Sequence, residues 1–305
     1  MKLEFLGTGS AWSVPEYSCD CAVCRRMRSL GERRMRSSLF IDGEEKILID
    51  CGPDMREQMT RFSLPLMDAV LITHEHGDHY LGLDELLSYR RCVEPELWRP
   101  IPIYATEETW KSIEPRFGYL LGSLLEKRSA QPGIPLQGLT STIVPFKTDH
   151  GDFPRGSVGY TIFYGSENKK KLAYTSDFER VNHGEHLLEN ADTLVLQTNW
   201  LNEPEFNRPH HMSFQRALDY LERWRPRKTF LIHISDQDWI EGDPSNRYLK
   251  KQRPLDPLRS PRTGAPYPIP TCQEEWSATV QKIVEERNLP LNIEAAFDGL
   301  TVMLY

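Results

Sequence analysis

The chain has 305 residues, 39% of them hydrophobic and 10% aromatic, and a formal net charge of −7. That composition suits a globular protein with one large core, and the acidic balance argues against a general affinity for nucleic acid or anionic membrane. No apolar run approaches the roughly 20 residues of a membrane span, and Met1-Lys2-Leu3-Glu4-Phe5-Leu6-Gly7 carries an acid inside its apolar run, so it reads as a first strand, not a secretory signal. A single domain over residues 1–305 and a cytoplasmic location are the expectations. Six cysteines, three of them at 19–24, fit metal binding in a reducing compartment better than a disulfide framework.

Residues 3–6 predict a strand that ends in Gly7-Thr8-Gly9-Ser10, where glycine permits a tight turn. Cys19-Asp20-Cys21-Ala22-Val23-Cys24 follows. Three thiols at this spacing suit one structural zinc held by a loop at 18–26, with a fourth ligand from elsewhere. Arg25, Arg26, Arg28, Arg33, Arg34 and Arg36 form a basic run, read either as a solvated face or as a phosphate-steering edge. Ser38–Asp42 and residues 47–50 predict a hairpin around Asp42-Gly43. Asp50 reads as an anchor for a metal loop and Cys51 as a small buried residue.

The densest chemistry lies at Thr73-His74-Glu75-His76-Gly77-Asp78-His79. An apolar run at 69–72 leads in and a helix-like run at 80–87 leads out, so the motif sits in a loop after a buried strand. There His74 and His76 can point one way while Asp78 and His79 point the other, an arrangement suited to two adjacent metal ions. Neutral imidazole with carboxylate favours zinc, manganese or iron over calcium or magnesium.

Further along, 102–105 reads as a strand and 107–125 as a helix. Residues 142–146 lead to His150, 159–164 alternate as a strand should, and 172–175 end in Ser176-Asp177. His183 and His186 read as surface residues. A buried strand at 192–198 precedes a mixed loop at 199–208, then His210-His211-Met212-Ser213 and an amphipathic helix over Phe214–Trp224. Residues 230–232 end in His233. The segment 237–271 opens acidic, with Asp238, Glu241 and Asp243. It then turns basic and proline-rich, with Arg247, Lys250, Lys251, Arg253, Arg259 and Arg262. It reads as a lid over a phosphorylated substrate or as an oligomer contact. A helix at 274–287 and a hairpin of 292–296 with 300–304 around Asp298-Gly299 complete the chain.

Thr-His-x-His-x-Asp-His after a buried strand resembles the metal-binding motif of the metallo-β-lactamase fold superfamily. With the cysteine triple, the chain is most similar to the phosphoribosyl 1,2-cyclic phosphate phosphodiesterases of the phosphonate-breakdown type, from residue 2 to the C-terminus apart from 237–271. The resemblance implies an α/β fold, a four-layer αββα sandwich of two mixed β-sheets with flanking helices and the metals at one edge. It implies His74, His76 and His150 on one divalent metal, Asp78, His79 and His233 on the other, and Asp177 bridging both. In the family the cysteine triple is completed by a histidine three residues after the last active-site histidine. Here that position is Asp236, so Cys19, Cys21, Cys24 and Asp236 are the expected zinc ligands. A histidine at the start of the 214–224 helix faces the substrate in the family. His211 aligns best and His210 is the alternative, with a role as general acid or as hydrogen-bond donor to a phosphoryl oxygen.

Asp78 and His211 are thus the catalytic candidates. The implied reaction is hydrolysis of a small cyclic or nucleotide-like phosphodiester by a hydroxide bridging two metals; the sequence is silent on oligomeric state, and a homodimer stays open because related enzymes are often dimers. Three other readings follow from the same superfamily. A redox di-iron site is disfavoured by His76, which that branch replaces with a carboxylate. A tRNA 3'-processing nuclease would need a basic arm, for which 237–271 is a weak candidate. A non-catalytic cofactor-biosynthesis or carrier protein shares the cysteine triple but generally lacks the intact histidine motif.

Overall fold

Short apolar strands that alternate their side chains between two faces form the centre of the molecule. The computed structural model describes all 305 residues. Six strands come first: β1 (Lys2–Gly7), β2 (Ser38–Asp42), β3 (Lys46–Ile49), β4 (Ala69–Leu71), β5 (Ile101–Ala105) and β6 (Leu125–Ser129). Seven follow: β7 (Thr142–Asp149), β8 (Val158–Tyr164), β9 (Lys170–Tyr174), β10 (Arg180–Val181), β11 (Thr193–Gln197), β12 (Thr229–Ile232) and β13 (Ile293–Ala295). The last strand, β14 (Thr301–Met303), returns to the first group. The two seven-stranded sheets run β14-β1-β2-β3-β4-β5-β6 and β10-β7-β8-β9-β11-β12-β13. Each is antiparallel through its first four strands and parallel through the rest.

The helices are α1 (Ala22–Leu30), α2 (Met55–Phe62), the short α3 (Gly77–Tyr80) and α4 (Leu87–Arg91), α5 (Glu107–Phe117), α6 (Phe214–Trp224) and α7 (Gln273–Glu286). Strand alternation separates three apolar layers. Ile47, Ile49, Ala69 and Leu71 of the first sheet meet Tyr160, Ile162, Val195 and Phe230 of the second. The residues between them on the same strands, Leu48 and Val70, turn outward onto Met55, Trp110 and Ile113 of α2 and α5. On the other side Leu194, Leu196 and Leu231 turn outward onto α6 and α7, through Leu218, Leu221, Trp276 and Val280. Helix α6 starts where the Ser213 hydroxyl accepts from Arg216 N at 3.0 Å. It buries Phe214, Ala217, Leu218, Leu221 and Trp224, a single helical stripe. The result is the expected four-layer αββα sandwich.

Three expected elements differ. The 107–125 helix stops at Phe117; Gly122, at φ 75°, turns the chain and β6 begins at Leu125. The 80–87 run is broken into α3, a 3₁₀ turn at Leu83–Leu86 and α4. The break lets Gly82 press against the Gly52 carbonyl, where any Cβ would lie 2.1 Å from that oxygen. The C-terminal hairpin does not form: β13 pairs with β12 in the second sheet and β14 with β1 in the first. The Asp298-Gly299 turn carries the chain across the sandwich because Asp298 is held elsewhere, accepting from Thr8 N at 2.9 Å and Met35 N at 2.6 Å.

Candidate metal centre

The chain leaves β4, β7, β9 and β12 at one edge of the sandwich, and each exit carries a histidine or aspartate. Beyond β4, the Thr73 amide and hydroxyl donate to Asp50 Oδ1 at 2.9 and 3.0 Å, and His79 Nδ1 meets Asp50 Oδ2 at 2.7 Å. Asp50 is fully buried, so this one carboxylate shapes the whole loop. Glu75, the central residue of the His-x-His, faces away from the other motif side chains. It accepts from Thr109 Oγ1 at 3.1 Å and Gly156 N at 3.0 Å, tying the motif to α5 and to the loop after His150. Asp50, Ser176 and His233 all adopt positive φ, near 60°, beside strand ends. These strained turns re-aim the chain at the point where the donors are needed.

Two groups of donors result. His74 Nε2 and His150 Nε2 lie 3.0 and 3.2 Å from His76 Nδ1. The His150 Nδ1 donates to the His210 carbonyl at 2.9 Å, which leaves Nε2 as a lone pair. Nitrogens on a tetrahedral zinc stand roughly 3.3 Å apart, given bonds of 2.0–2.1 Å, so this spacing is that of a ligand set. In the second group, Asp177 Oδ2 lies 3.0 Å from His233 Nε2 and 3.5 Å from His79 Nε2, which is itself 3.1 Å from Asp78 Oδ2. The same oxygen is 3.9 Å from His74 Nε2 and 3.8 Å from His150 Nε2, so it faces both groups. The Nε2 atoms of His79 and His233 are buried with no hydrogen-bond partner. Buried polar atoms are rarely left so, and both belong to the second group, where they are free to act as cation ligands.

The electrostatics agree with a cation site. Burial holds His74 well below the usual imidazole range and His150 down to about 4, so both stay neutral. Burial works against Asp177, yet His233 and His79 hold it well below the carboxylate range, and Asp78 is likewise lowered to about 2 against its burial, chiefly by His79. Burial would lower His79, but Asp78, Asp50 and Asp177 carry it well above its usual value. That balance of buried neutral imidazoles and ionised carboxylates suits a pocket that takes up cations.

The geometry separates the two helix-start histidines. His210, at φ 53°, turns outward and its Nδ1 meets Glu179 Oε2 at 2.7 Å. His211 turns inward, with Nδ1 3.9 Å from Asp177 Oδ2 and its ring 4.7 Å from that of His150. It lines a cavity of about 540 Å³ together with Trp12, Arg36, Asp78 and Gln237. Of the arginine run, Arg36 pairs with Asp54 at 2.8 Å at this cavity. Arg34 is buried instead, donating to Thr8 Oγ1 and the Ala296 carbonyl, so the run is neither one solvated face nor one steering edge. His183 and His186 are exposed.

The second cluster lies at the start of the first helix, where Cys21 caps α1. The sulfurs of Cys19, Cys21 and Cys24 lie 3.5, 3.4 and 2.9 Å from Asp236 Oδ2, and all four residues are buried. A hydrogen bond from Cys24 draws the Cys21 thiol down to about 6. The donor set is one that suits zinc, with the carboxylate standing where a fourth ligand would. The 237–271 segment is divided: Lys250 and Lys251 turn inward, whereas Arg247, Arg253, Arg259 and Arg262 stay exposed. Lys250 Nζ pairs with Asp236 and Glu16, Lys251 Nζ donates to the Asp236 and Asp238 carbonyls, and Leu258 and Tyr267 join the core beneath α6 and α7.

Sequence reading did not find Glu75 as a brace, the Lys250–Asp236 pair, or Gln197, a buried amide at the end of β11 that reaches His211. Each is defined only by partners distant in the chain.

The model of the beta-lactamase superfamily domain matches residues 45–234, and the chain belongs to that family; its fold is the one shared by the metallo-β-lactamase hydrolases. It is similar to the octanoyltransferase of Porphyromonas gingivalis (strain ATCC BAA-308 / W83), 32% identical over 245 residues that cover 77% of this chain and 46% of that protein. The chain thus spans less than half the length of that relative. Among solved structures it is similar to a new diphosphatase from the PhnP family, with 26% identity and a TM-score of 0.69 over 99% of this chain and 96% of that one. The Zn(2+)-bound PqqB from Methylobacterium extorquens shares the fold, with 19% identity and a TM-score of 0.69 over the full length of both chains.

Proposed function

We propose that the chain is a binuclear metal-dependent phosphodiesterase for small cyclic or nucleotide-like phosphodiesters. The observation that carries the reading is Asp177 Oδ2, which faces three imidazoles on one side and the Asp78, His79 and His233 donors on the other. His74, His76 and His150 would hold one divalent metal and Asp78, His79 and His233 the second, with Asp177 shared between the two groups. When bound, the pair supplies Lewis acidity to phosphoryl oxygens and lowers the pKa of a water. Zinc or manganese suits both groups, and iron is the further option. Cys19, Cys21, Cys24 and Asp236 hold a structural zinc.

The chain's own residues do the rest. Asp78 lines the cavity and stays ionised, so its carboxylate accepts a hydrogen bond from the attacking water. His211 faces the same cavity from the start of α6, where a phosphoryl or leaving oxygen lies within its reach. The likeness to the PhnP-family diphosphatase supports phosphoester chemistry. The 540 Å³ cavity suits a small ligand.

The test is turnover of bis(p-nitrophenyl) phosphate and of ribose 1,2-cyclic phosphate, with metals counted in the same sample. About three metals per chain with turnover supports the proposal. Three metals with no phosphodiester turnover refutes the substrate class.

A further inference from the structure

Gln197 is fully buried at the end of β11, and every heteroatom of its side chain is accounted for. Its Oε1 accepts from Phe178 N at 2.8 Å and from Met212 N at 3.3 Å. Two backbone N–H donors on one atom identify that atom as the oxygen, because the amide nitrogen would meet them donor to donor. The side chain is therefore fixed in orientation, and its NH₂ group faces the imidazoles. Nε2 lies within hydrogen-bond distance of His211 Nδ1. The Nδ1 of His233 is 3.4 Å from the same nitrogen, too long to govern that ring.

An amide nitrogen can only donate, so His211 Nδ1 accepts. A neutral imidazole that accepts at Nδ1 carries its proton on Nε2. Asp177 Oδ2 stands 3.9 Å from Nδ1, beyond a hydrogen bond, and does not pull a proton onto that atom. The residues after Asp177 and after His211 are those whose amides bind Oε1, so one side chain sets the bridging carboxylate and the cavity histidine in mutual register.

We infer that Gln197 is a positioning residue that holds His211 as the neutral Nε2–H tautomer, and that His211 serves the reaction as a hydrogen-bond donor to a phosphoryl oxygen, not as the acid that protonates the leaving group. A neutral imidazole that gave up its only proton would become imidazolate, whereas donation of a hydrogen bond to developing negative charge needs no transfer. The inference rests on the phosphodiesterase reading for the identity of the oxygen but not for the tautomer.

Two measurements test it on the full-length, zinc-loaded protein. The first is long-range ¹H–¹⁵N correlation spectroscopy of histidine-labelled protein at neutral pH, with the His211 signals assigned by their loss in His211→Gln. The expected pattern is a protonated Nε2 and a bare Nδ1. Gln197→Glu keeps both backbone contacts through its carboxylate but presents an acceptor to Nδ1, and it should move the proton to Nδ1 or give the imidazolium. An imidazolium or Nδ1–H form in the unaltered protein, or no change in Gln197→Glu, would overturn the assignment. The second compares His211→Gln on an aryl diester, whose leaving group needs no proton, and on an alkyl cyclic diester. A phosphoryl donor predicts losses in kcat/KM that agree within about threefold, each roughly 10–100-fold. A loss confined to the alkyl substrate identifies a general acid and refutes the proposal. No turnover of either diester would end the phosphodiesterase reading while the spectrum still decides the tautomer.

Discussion

The two donor clusters of this protein are built in opposite ways. The paired histidine–aspartate centre draws seven side chains from the ends of four strands, one in the first sheet and three in the second, and no stretch shorter than residues 74–233 contains them all. The cysteine cluster takes three of its four donors from six residues at the start of α1 and only Asp236 from afar. The first depends on the whole sandwich; the second is close to a local motif closed by one carboxylate. They meet at 233–236, where His233 belongs to one cluster and Asp236 to the other. Between them the Ser235 hydroxyl donates to the Asn199 carbonyl at 2.6 Å.

The largest expected effect is at the shared oxygen. Asp177→Ala should lower kcat/KM by roughly a thousandfold or more and reduce bound metal towards the cysteine-held zinc alone, read by elemental analysis. Retention of all three metals with high activity would break the division drawn here. Cys24→Ser should remove one zinc per chain and lower Tm by about 5–10 °C, while the paired centre keeps its two metals and turnover falls by less than about tenfold. If the paired metals leave as well, the 233–236 link couples the centres and they are not separable units. Asp50→Asn removes the carboxylate behind His79 and should weaken the second metal of the pair by about 10–100-fold in affinity, measured by chelator competition. The cysteine-held zinc should not respond.

The smallest effect concerns neither centre. Burial raises Asp298 from 3.8 to about 6. A carboxyl group whose folded pKa lies above its unfolded value binds more protons when folded between those two values, so its contribution to stability declines as pH rises from about 4 to 6. Asp298→Asn should remove that slope from the pH dependence of Tm without changing metal content. A slope that persists would assign it to the clusters.

Much of the paired centre was legible because each donor directly follows an apolar run. Residues 69–72 precede His74, 172–175 precede Asp177 and 230–232 precede His233, so strand pattern and metal chemistry reinforce one another. The cysteine triple was legible for the opposite reason, since its spacing alone brings three sulfurs together. What could not be read was set by long-range partners. Asp298-Gly299 has the local chemistry of a hairpin turn, but the hydrogen bonds from Thr8 and Met35 decide where the chain goes. The charges of Lys250 and Lys251 looked like a basic surface, yet the carboxylate and carbonyls of the 236–238 stretch draw both inward. Gln197 carries no signal at all, because a glutamine in an apolar strand acquires meaning only from the two amides that meet it.

The pairing of β1 with β14, in which Lys2 stands opposite Met303, has a consequence for how the molecule comes into being. Strands about 300 residues apart must meet, and a chain with such distant pairings folds slowly. On the ribosome the His74–His79 loop is complete when fewer than a third of the residues have been made, well before Asp177 and His233 exist. A nascent chain therefore carries half a centre, able to hold a metal loosely but without the oxygen that joins two. The full donor set is assembled only when both halves of the chain have met, which ties its completion to the completion of folding.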